Sequence, residues 1–282
     1  MKRKISISLI VNFKKKNSID LIKKIISKFF ESDYEVYVSF KLAEIIQDSR
    51  CIAVDSKELQ KHSNTFVVAG GDGTFIGVAR EYSKFGVNIL PVNIGYLGFL
   101  SEISADNLLN EIDKINLKNA PVEQRMMLET EFNGFTNLAV NEIVISQNSL
   151  SRLICLEISL NGRFFTAIRS DGIIISTPTG STGHSLSAGG PIVNPVIDCI
   201  ILTPLCAHSL AIRPIILSKS DMISARVSSI NETVVTIDGQ AQYPVKNGSL
   251  INIKVSEHTF NIIKPNPIYY YDLIKNKLKW NQ

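Results

Sequence analysis

Up to about Lys118 the chain alternates short apolar runs with stretches of helical period. Ile5–Val11 reads as a strand, and Ser18 then caps a stretch in which Ile22, Ile25, Ile26, Phe29 and Phe30 recur at helical spacing. Tyr34–Ser39 predicts a strand, Lys41–Asp48 a helix, Thr65–Ala69 a strand and Thr74–Ser83 a helix. Val87–Val92 and Ala105–Ile115 repeat the strand-helix pair. Such alternation builds a parallel sheet from βαβ units.

From Pro121 the pattern shortens into many strand-like runs separated by turn dipeptides. Asn133-Gly134, Asn161-Gly162 and Asn247-Gly248 each predict a hairpin between β-branched or aromatic residues. The run LICLEISLNGRFFTAIRSDGIIIS, 153–176, reads as strand, two-residue turn, strand, strand. Beyond Pro265 and Pro267, YYYDLIKNKLKW regains a helical period and is expected to pack back on the first half. The fold class that follows is an α/β domain with a Rossmann-like parallel sheet, 1–120, rejoined by the tail 265–282. A β-rich, sandwich-like domain follows it at 121–264.

Composition narrows the class of ligand. A length of 282 residues gives chain enough for two cores, and 45% hydrophobic with 20% charged residues is ordinary for a globular protein. The net charge of +4 suits small anionic ligands, and no basic run interleaved with aromatics points to nucleic acid. Cys51, Cys155, Cys199 and Cys206 lack metal or redox spacing. Cys155 and Cys199 lie in apolar runs and are expected as buried free thiols. MKRKISISLIV shares only its charged end with a secretory signal, and no apolar run approaches membrane-spanning length. A cytoplasmic protein without a membrane partner is expected.

The candidate chemistry begins in VVAGGDGTFIGVAR, 67–80. Gly70, Gly71 and Gly73 permit positive φ and let backbone N–H groups approach an anion, with the start of the next helix aimed at the same place. Asp72 is the one functional side chain in this cradle. A carboxylate beside phosphates is repulsive unless it holds a cation or accepts a hydroxyl proton, which points to phosphoryl transfer. A tight turn with a helix-capping Asp is the plain alternative. The spacing G-x-G-x-x-x-G is one residue off the dinucleotide fingerprint, and neither the P-loop nor the protein-kinase motifs occur.

A second dense stretch is DGIIISTPTGSTGHSLSAGGP, 171–191. Thr177, Thr179, Ser181, Thr182, Ser185 and Ser187 crowd around glycines, and such small hydroxyls suit the ribose and phosphate oxygens of a nucleotide. An irregular Ser/Thr-rich loop is the alternative. Gly180-Ser181-Thr182-Gly183 is not the nucleophile elbow of a serine hydrolase.

Taken in order, A-G-G-D-G-T at 69–74, N-I-G-Y-L-G-F-L at 93–100, N-E at 141–142 and D-G-x-x-x-S-T-P-T-G-S-T at 171–182 resemble the NAD kinase family. S-L-S-A-G-G-P at 185–191, A-x-R-P at 211–214 and D-G-Q at 238–240 extend the resemblance through nearly the whole chain. The glycine loop alone also resembles those of diacylglycerol-type lipid kinases and phosphofructokinases. The resemblance implies transfer of the γ-phosphate of ATP, or of polyphosphate, to the adenosine 2′-hydroxyl of NAD. It also implies a divalent cation such as Mg2+, a dinucleotide lying between an α/β domain and a β-sandwich domain, and a homodimer or homotetramer.

By the same resemblance the catalytic base falls on Asp72, next to Gly73, and an aromatic lying against adenine falls on Phe99. The family's Asn-Glu pair is Asn141-Glu142, and its strand arginines are Arg152 and Arg169. Asp171 precedes the substrate-contacting run Thr182, Gly183, His184, Ser185, Leu186 and Ser187, and Gln240 closes the set. Asp171 is the kind of residue that reaches a neighbouring subunit's ligand. No residue is assigned as a metal ligand. The departure is Gly183-His184, where bacterial members usually carry Ala-Tyr and the tyrosine stacks on a base. His184 is expected to stack with less area. His208 reads as structural, and His62 and His258 as surface residues. Two rivals stand beside this reading: a lipid kinase of the same superfamily, and a non-catalytic NAD(P)-binding sensor.

Overall fold

The computed structural model describes residues 5–12, 18–95, 98–101, 103–148, 153–208, 211–228, 232–265 and 269–280. The chain divides into two compact units, Met1–Gln124 with Phe260–Gln282, and Arg125–Thr259.

The first unit opens with strand β1 (Ile5–Val11), helix α1 (Ser18–Glu31), β2 (Tyr34–Ser39), α2 (Phe40–Ile46) and β3 (Ile52–Val54). It continues through α3 (Leu59–His62), β4 (Thr65–Gly70), α4 (Asp72–Tyr82), β5 (Asn88–Asn93), β6 (Ile103–Ser104) and α5 (Ala105–Glu111). The strands pair in parallel in the order β3-β2-β1-β4-β5. β4 is buried at every position, as a parallel strand covered on both faces must be. The α1 residues Ile22, Ile25, Ile26 and Phe29 join Ile7, Leu9, Val36, Val67 and Leu90 in the core, while Phe30 is partly buried. Strand order reverses between β1 and β4. Open α/β sheets bind ligands at that switch point.

Several boundaries differ from the sequence reading. Ser18 is the first helical residue, not the cap before it. α2 starts at Phe40 because the Ser39 hydroxyl accepts the Leu42 N–H at 3.3 Å, and it ends at Gln47 in the left-handed conformation. α5 stops at Glu111, short of Ile115. β3 and β6, three and two residues long, carry too little pattern to be read.

The second unit takes in most of β7 (Val122–Phe132), then β8 (Phe135–Ala139), β9 (Glu142–Gln147), β10 (Ile154–Leu160), β11 (Arg163–Ser170) and β12 (Gly172–Ser176). After the short helix α6 (His184–Ser187) come β13 (Cys199–Leu205), β14 (Ile215–Ser218), β15 (Ile223–Val227), β16 (Thr233–Ile237) and β17 (Ala241–Val245). β18 (Leu250–Ile263) passes back into the first unit, where Asn261 and Ile262 pair with Asn88 and Ile89 of β5. Helix α7 (Tyr270–Leu278) follows and buries Leu273 and Ile274.

Two sheets face one core in the second unit. One is antiparallel in the order β14-β13-β12-β9-β16-β17; the other runs β11-β10-β15-β18, with β7 beside β18 and β8 beside β7. Ile143, Ile145, Ile173, Ile175, Val235 and Ile237 point inward to meet Leu156, Ile158, Ala225 and Ile251. The period of two therefore turns Val144, Ile174 and Thr236 to the opposite face. Asn133-Gly134 and Asn161-Gly162 make the expected left-handed hairpin turns, with φ of 51° and 77° in the first and 52° and 77° in the second. Asn247-Gly248 does not make a hairpin: it leads from β17 in one sheet to β18 in the other. The further hairpin turn is Asp238-Gly239, φ 50° and 64°, between β16 and β17. Cys199 is buried, but Cys155 is only partly so, contrary to expectation.

Candidate active site

The glycine loop sits at the switch point of the first unit. β4 ends at Gly70, Gly71 is the cap position, and α4 begins at Asp72, two residues earlier than expected. Gly71 offers no side-chain cap, and Asp72 does not act as one. Its carboxylate reaches another loop instead: Oδ2 accepts the Phe99 N–H at 2.7 Å, and Oδ1 accepts the Leu100 N–H at 3.3 Å and the Ser101 hydroxyl at 3.1 Å. A Cβ on Gly98 would overlap that carboxylate, so glycine is required there. An ionised carboxylate offers about four acceptor sites, so one remains for a further donor.

The three loop glycines earn their place differently from the expectation. None of Gly70, Gly71 and Gly73 has positive φ. Gly70 instead lies so close to Thr74 that a Cβ would meet Thr74 Oγ1 at 2.7 Å. That hydroxyl accepts from Asn12 Nδ2 at 3.1 Å, tying the end of β1 to the first turn of α4 across the switch point. Gly73 lies in the first turn of α4, where the helix end favours anions. Phe99 meets Asp72 through its backbone, and its side chain is partly buried. Lys277 of α7 is partly buried; burial lowers its pKa and the charge of Asp72 opposes that shift.

In the second unit the Asn-Glu pair lies where β8 gives way to β9. The turn is held by Asp238, which the sequence reading passed over. Its carboxylate accepts the N–H groups of Val140 at 3.1 Å, Asn141 at 2.8 Å and Glu142 at 3.2 Å. The Asp238 N–H donates back to the Glu142 carbonyl at 3.0 Å. The Glu142 side chain is 4% exposed, and its Oε1 lies 2.9 Å from His184 Nδ1. Among the described residues, Glu142 Oε2 and Asn141 Oδ1 are buried without a hydrogen-bond partner. Burial pushes the Glu142 carboxyl up to about 7, with His184 opposing and Asp238 reinforcing the shift.

The hydroxyls of the 177–187 loop mostly bind the protein itself. Thr177 donates to the Val140 carbonyl at 2.7 Å, and Ser181 to the Val193 carbonyl at 3.2 Å. The buried Ser185 hydroxyl lies 2.9 Å from that of Thr203, and Thr182 donates to the Thr179 carbonyl at 3.3 Å. His184, Ser187 and Gln240 are exposed; Gly183 and Leu186 are partly so. A cavity of about 490 Å³ opens beside α6, with Val144, Ile174 and Thr236 among its lining residues and His184 and Cys206 also on its wall.

Asp171 and Arg169 stand apart from Glu142. Strand register sets Glu142 opposite Ser176, at the far end of β12 from Asp171. Asp171 accepts Gln147 Nε2 at 3.2 Å and raises the Cys206 thiol pKa by hydrogen bonding. Arg169 is exposed, and its carbonyl accepts the N–H of His208, itself exposed. His62 and His258 are exposed as well, His62 stacking on Tyr37. Arg152 lies outside the described residues.

A parallel sheet with an acid-bearing glycine loop at its switch point, carried in one chain with buried open acceptors, fits a nucleotide-dependent phosphotransferase. Comparison narrows the class to a family. Residues 7–119 match the model of the ATP-NAD kinase N-terminal domain, and 140–265 that of the ATP-NAD kinase C-terminal domain. The NAD kinase of Geotalea daltonii is 39% identical over 80% of this chain and 81% of its own. That of Caldanaerobacter subterraneus subsp. tengcongensis is 35% identical over 96% and 98%. In fold, the chain is similar to yeast NADH kinase complexed with NADH, with a TM-score of 0.89 at 22% identity over 100% of this chain and 89% of that one. It is also similar to an NAD kinase from Archaeoglobus fulgidus in complex with ATP, with a TM-score of 0.79 at 25% identity over 98% and 99%. The chain belongs to the NAD kinase family, whose reaction moves the γ-phosphate of ATP to the adenosine 2′-hydroxyl of NAD. The lipid-kinase and sensor alternatives fall with that result.

Proposed function

We propose that Asn141 Oδ1 and Glu142 Oε2 are acceptors for NAD, and that Asp72 is the base for the NAD 2′-hydroxyl. The observation that carries this reading is those two unpartnered buried acceptors, which need hydrogen-bond donors such as ribose hydroxyls or an adenine amino group. A ribose hydroxyl is a poor nucleophile at neutral pH, and a carboxylate within reach assists it by taking the proton. The hydroxyl oxygen then bonds to the γ-phosphorus, the bond to the bridging oxygen breaks, and ADP leaves with that electron pair. Because phosphoryl transfer is loose, Asp72 orients the hydroxyl as much as it deprotonates it. The cavity walled by His184 takes a flat ring against Val144 and Ile174.

Among the described residues no cluster of three His, Cys, Asp or Glu forms a metal cage. A divalent cation such as Mg2+ carried on the phosphates of ATP needs no such cage, because it takes one or two carboxylates and fills its other positions with phosphate oxygens and water. The edge strand β11 exposes Phe164 and Phe165 and leads through Arg169 to Asp171, which suits a second copy of the chain in a homodimer or homotetramer. Among the described residues no helix is long and apolar enough to cross a membrane. The test uses purified chain with NAD and ATP labelled at the γ-phosphate. Label must reach the 2′ position, and Glu142→Ala must raise the KM for NAD by roughly 5–150-fold, the range for an unsatisfied buried group. A change in the KM for ATP alone would contradict the assignment of Glu142.

A further inference from the structure

We propose that His184 is a positioning residue. Its Nδ1 holds one oxygen of Glu142, so that the other is presented as a single acceptor to the dinucleotide, and Gly183 leaves the approach to that oxygen open. The inference rests on the reading of Glu142 as an NAD ligand and concerns the two residues at which this chain departs from the family.

Three observations carry it. His184 Nδ1 lies 2.9 Å from Glu142 Oε1, while Oε2 of the same carboxylate is buried with no partner among the described residues. A Cβ on Gly183 would stand 3.1 Å from Glu142 Oε2 and 3.5 Å from Asn141 Nδ2. An alanine methyl would thus crowd the one oxygen left for a ligand, and glycine removes it. The His184 ring also borders the β16–β17 turn that Asp238 anchors, since a Cβ added at Gly239 would lie 3.5 Å from His184 Cε1. A tyrosine at 184 has no donor at the reach of Nδ1. The Gly-His pair therefore replaces stacking area with a hydrogen bond to the Asn-Glu pair.

The protonation of Glu142 follows from the same geometry. The titratable groups that bear on it among the described residues are His184 from α6 and Asp238 from the β16–β17 turn, and the residue opposite it on β12 is Ser176. Burial raises its pKa to about 7, His184 lowers it and Asp238 raises it. A substrate hydroxyl donates best to the ionised form. NAD affinity should accordingly rise with pH through neutrality, and loss of the His184 contact should move that rise to higher pH.

Two variants separate positioning from stacking. His184→Asn keeps a nitrogen at the three-bond reach of Nδ1 but has no ring; His184→Phe keeps a ring but has no donor. The readout is NAD affinity by calorimetry without ATP, from pH 5.5 to 8.5. The expected result is affinity within about threefold of wild type for His184→Asn and about tenfold weaker for His184→Phe, the worth of one bond to a charged group. The pH midpoint should also be higher in His184→Phe. Retention by His184→Phe with loss in His184→Asn, equal affinities in all three proteins, or equal losses with one shared midpoint would each overturn the proposal. The carboxyl of Glu142, followed by carbon NMR in the ligand-free full chain, tests the pair without NAD: its midpoint must rise in His184→Phe. If it does while Glu142→Ala leaves NAD affinity unaltered, the pair stands and the assignment of Glu142 to NAD fails.

Discussion

The carboxylate of Asp238 receives the backbone N–H of Asn141 at 2.8 Å, and so a hairpin turn in one part of the sheet fixes the Asn-Glu turn in another. Three N–H donors depend on this side chain, two of them belonging to the residues that present the open acceptors. Asp238→Ala should destabilise the chain by about 2–4 kcal/mol, since buried unsatisfied donors are among the most damaging consequences of a single change. Urea unfolding of the full chain checks this, and a loss under about 0.5 kcal/mol would mean that water takes over the carboxylate's role.

Glu142 gives a stability signature with a definite sign. Its folded pKa of about 7 lies above the ordinary 4.5, so the folded state binds the proton more tightly than the unfolded one. The favourable contribution is full below about 4.5 and is lost as pH rises through 7. Relative to Glu142→Gln, the wild type should therefore lose about 3 kcal/mol of stability between pH 4.5 and 7.5. Parallel unfolding curves at the two pH values measure the difference. A constant gap between the proteins would show that Glu142 is solvated enough to ionise without penalty.

Gly98 and Asp72 should behave as one unit. A methyl at position 98 overlaps the Asp72 carboxylate and must displace it from the N–H groups of Phe99 and Leu100. Gly98→Ala should lower kcat by at least about tenfold, as a misplacement near 1 Å does. Combined with Asp72→Asn it should add almost nothing, because both changes remove the same placed carboxylate. Fully multiplicative losses in the double variant would separate the two residues.

The parallel sheet and both Asn-Gly hairpins that form were legible because each is a local signal: apolar runs between helical stretches, and dipeptides that accept left-handed φ. Asn247-Gly248 carries the same dipeptide but leads between sheets, a tertiary outcome no local pattern records. Asp72 was legible as the lone acid of a glycine loop, though its partners at 99–101 come from a loop 27 to 29 residues away. Asp238 was quoted only as part of a motif. Its role arises from a pairing across nearly a hundred residues, and the available signal was only the Asp-Gly dipeptide after the β-branched run TVVTI, 233–237. Composition does not record the internal bonds of the 177–185 hydroxyls, in which Thr177 and Ser181 reach the Val140 and Val193 carbonyls and Ser185 meets Thr203 of β13.

The central claim is that Asp72 takes the hydroxyl proton and does not merely hold the loop at 98–101. Asp72→Asn tests it, with kcat and NAD affinity measured on the same preparation. Asparagine keeps one acceptor oxygen but cannot take up a proton. The account predicts NAD binding within a few-fold of wild type and kcat lower by roughly 10²–10⁴. Normal turnover with weakened NAD binding would contradict it and leave Asp72 as a ligand contact.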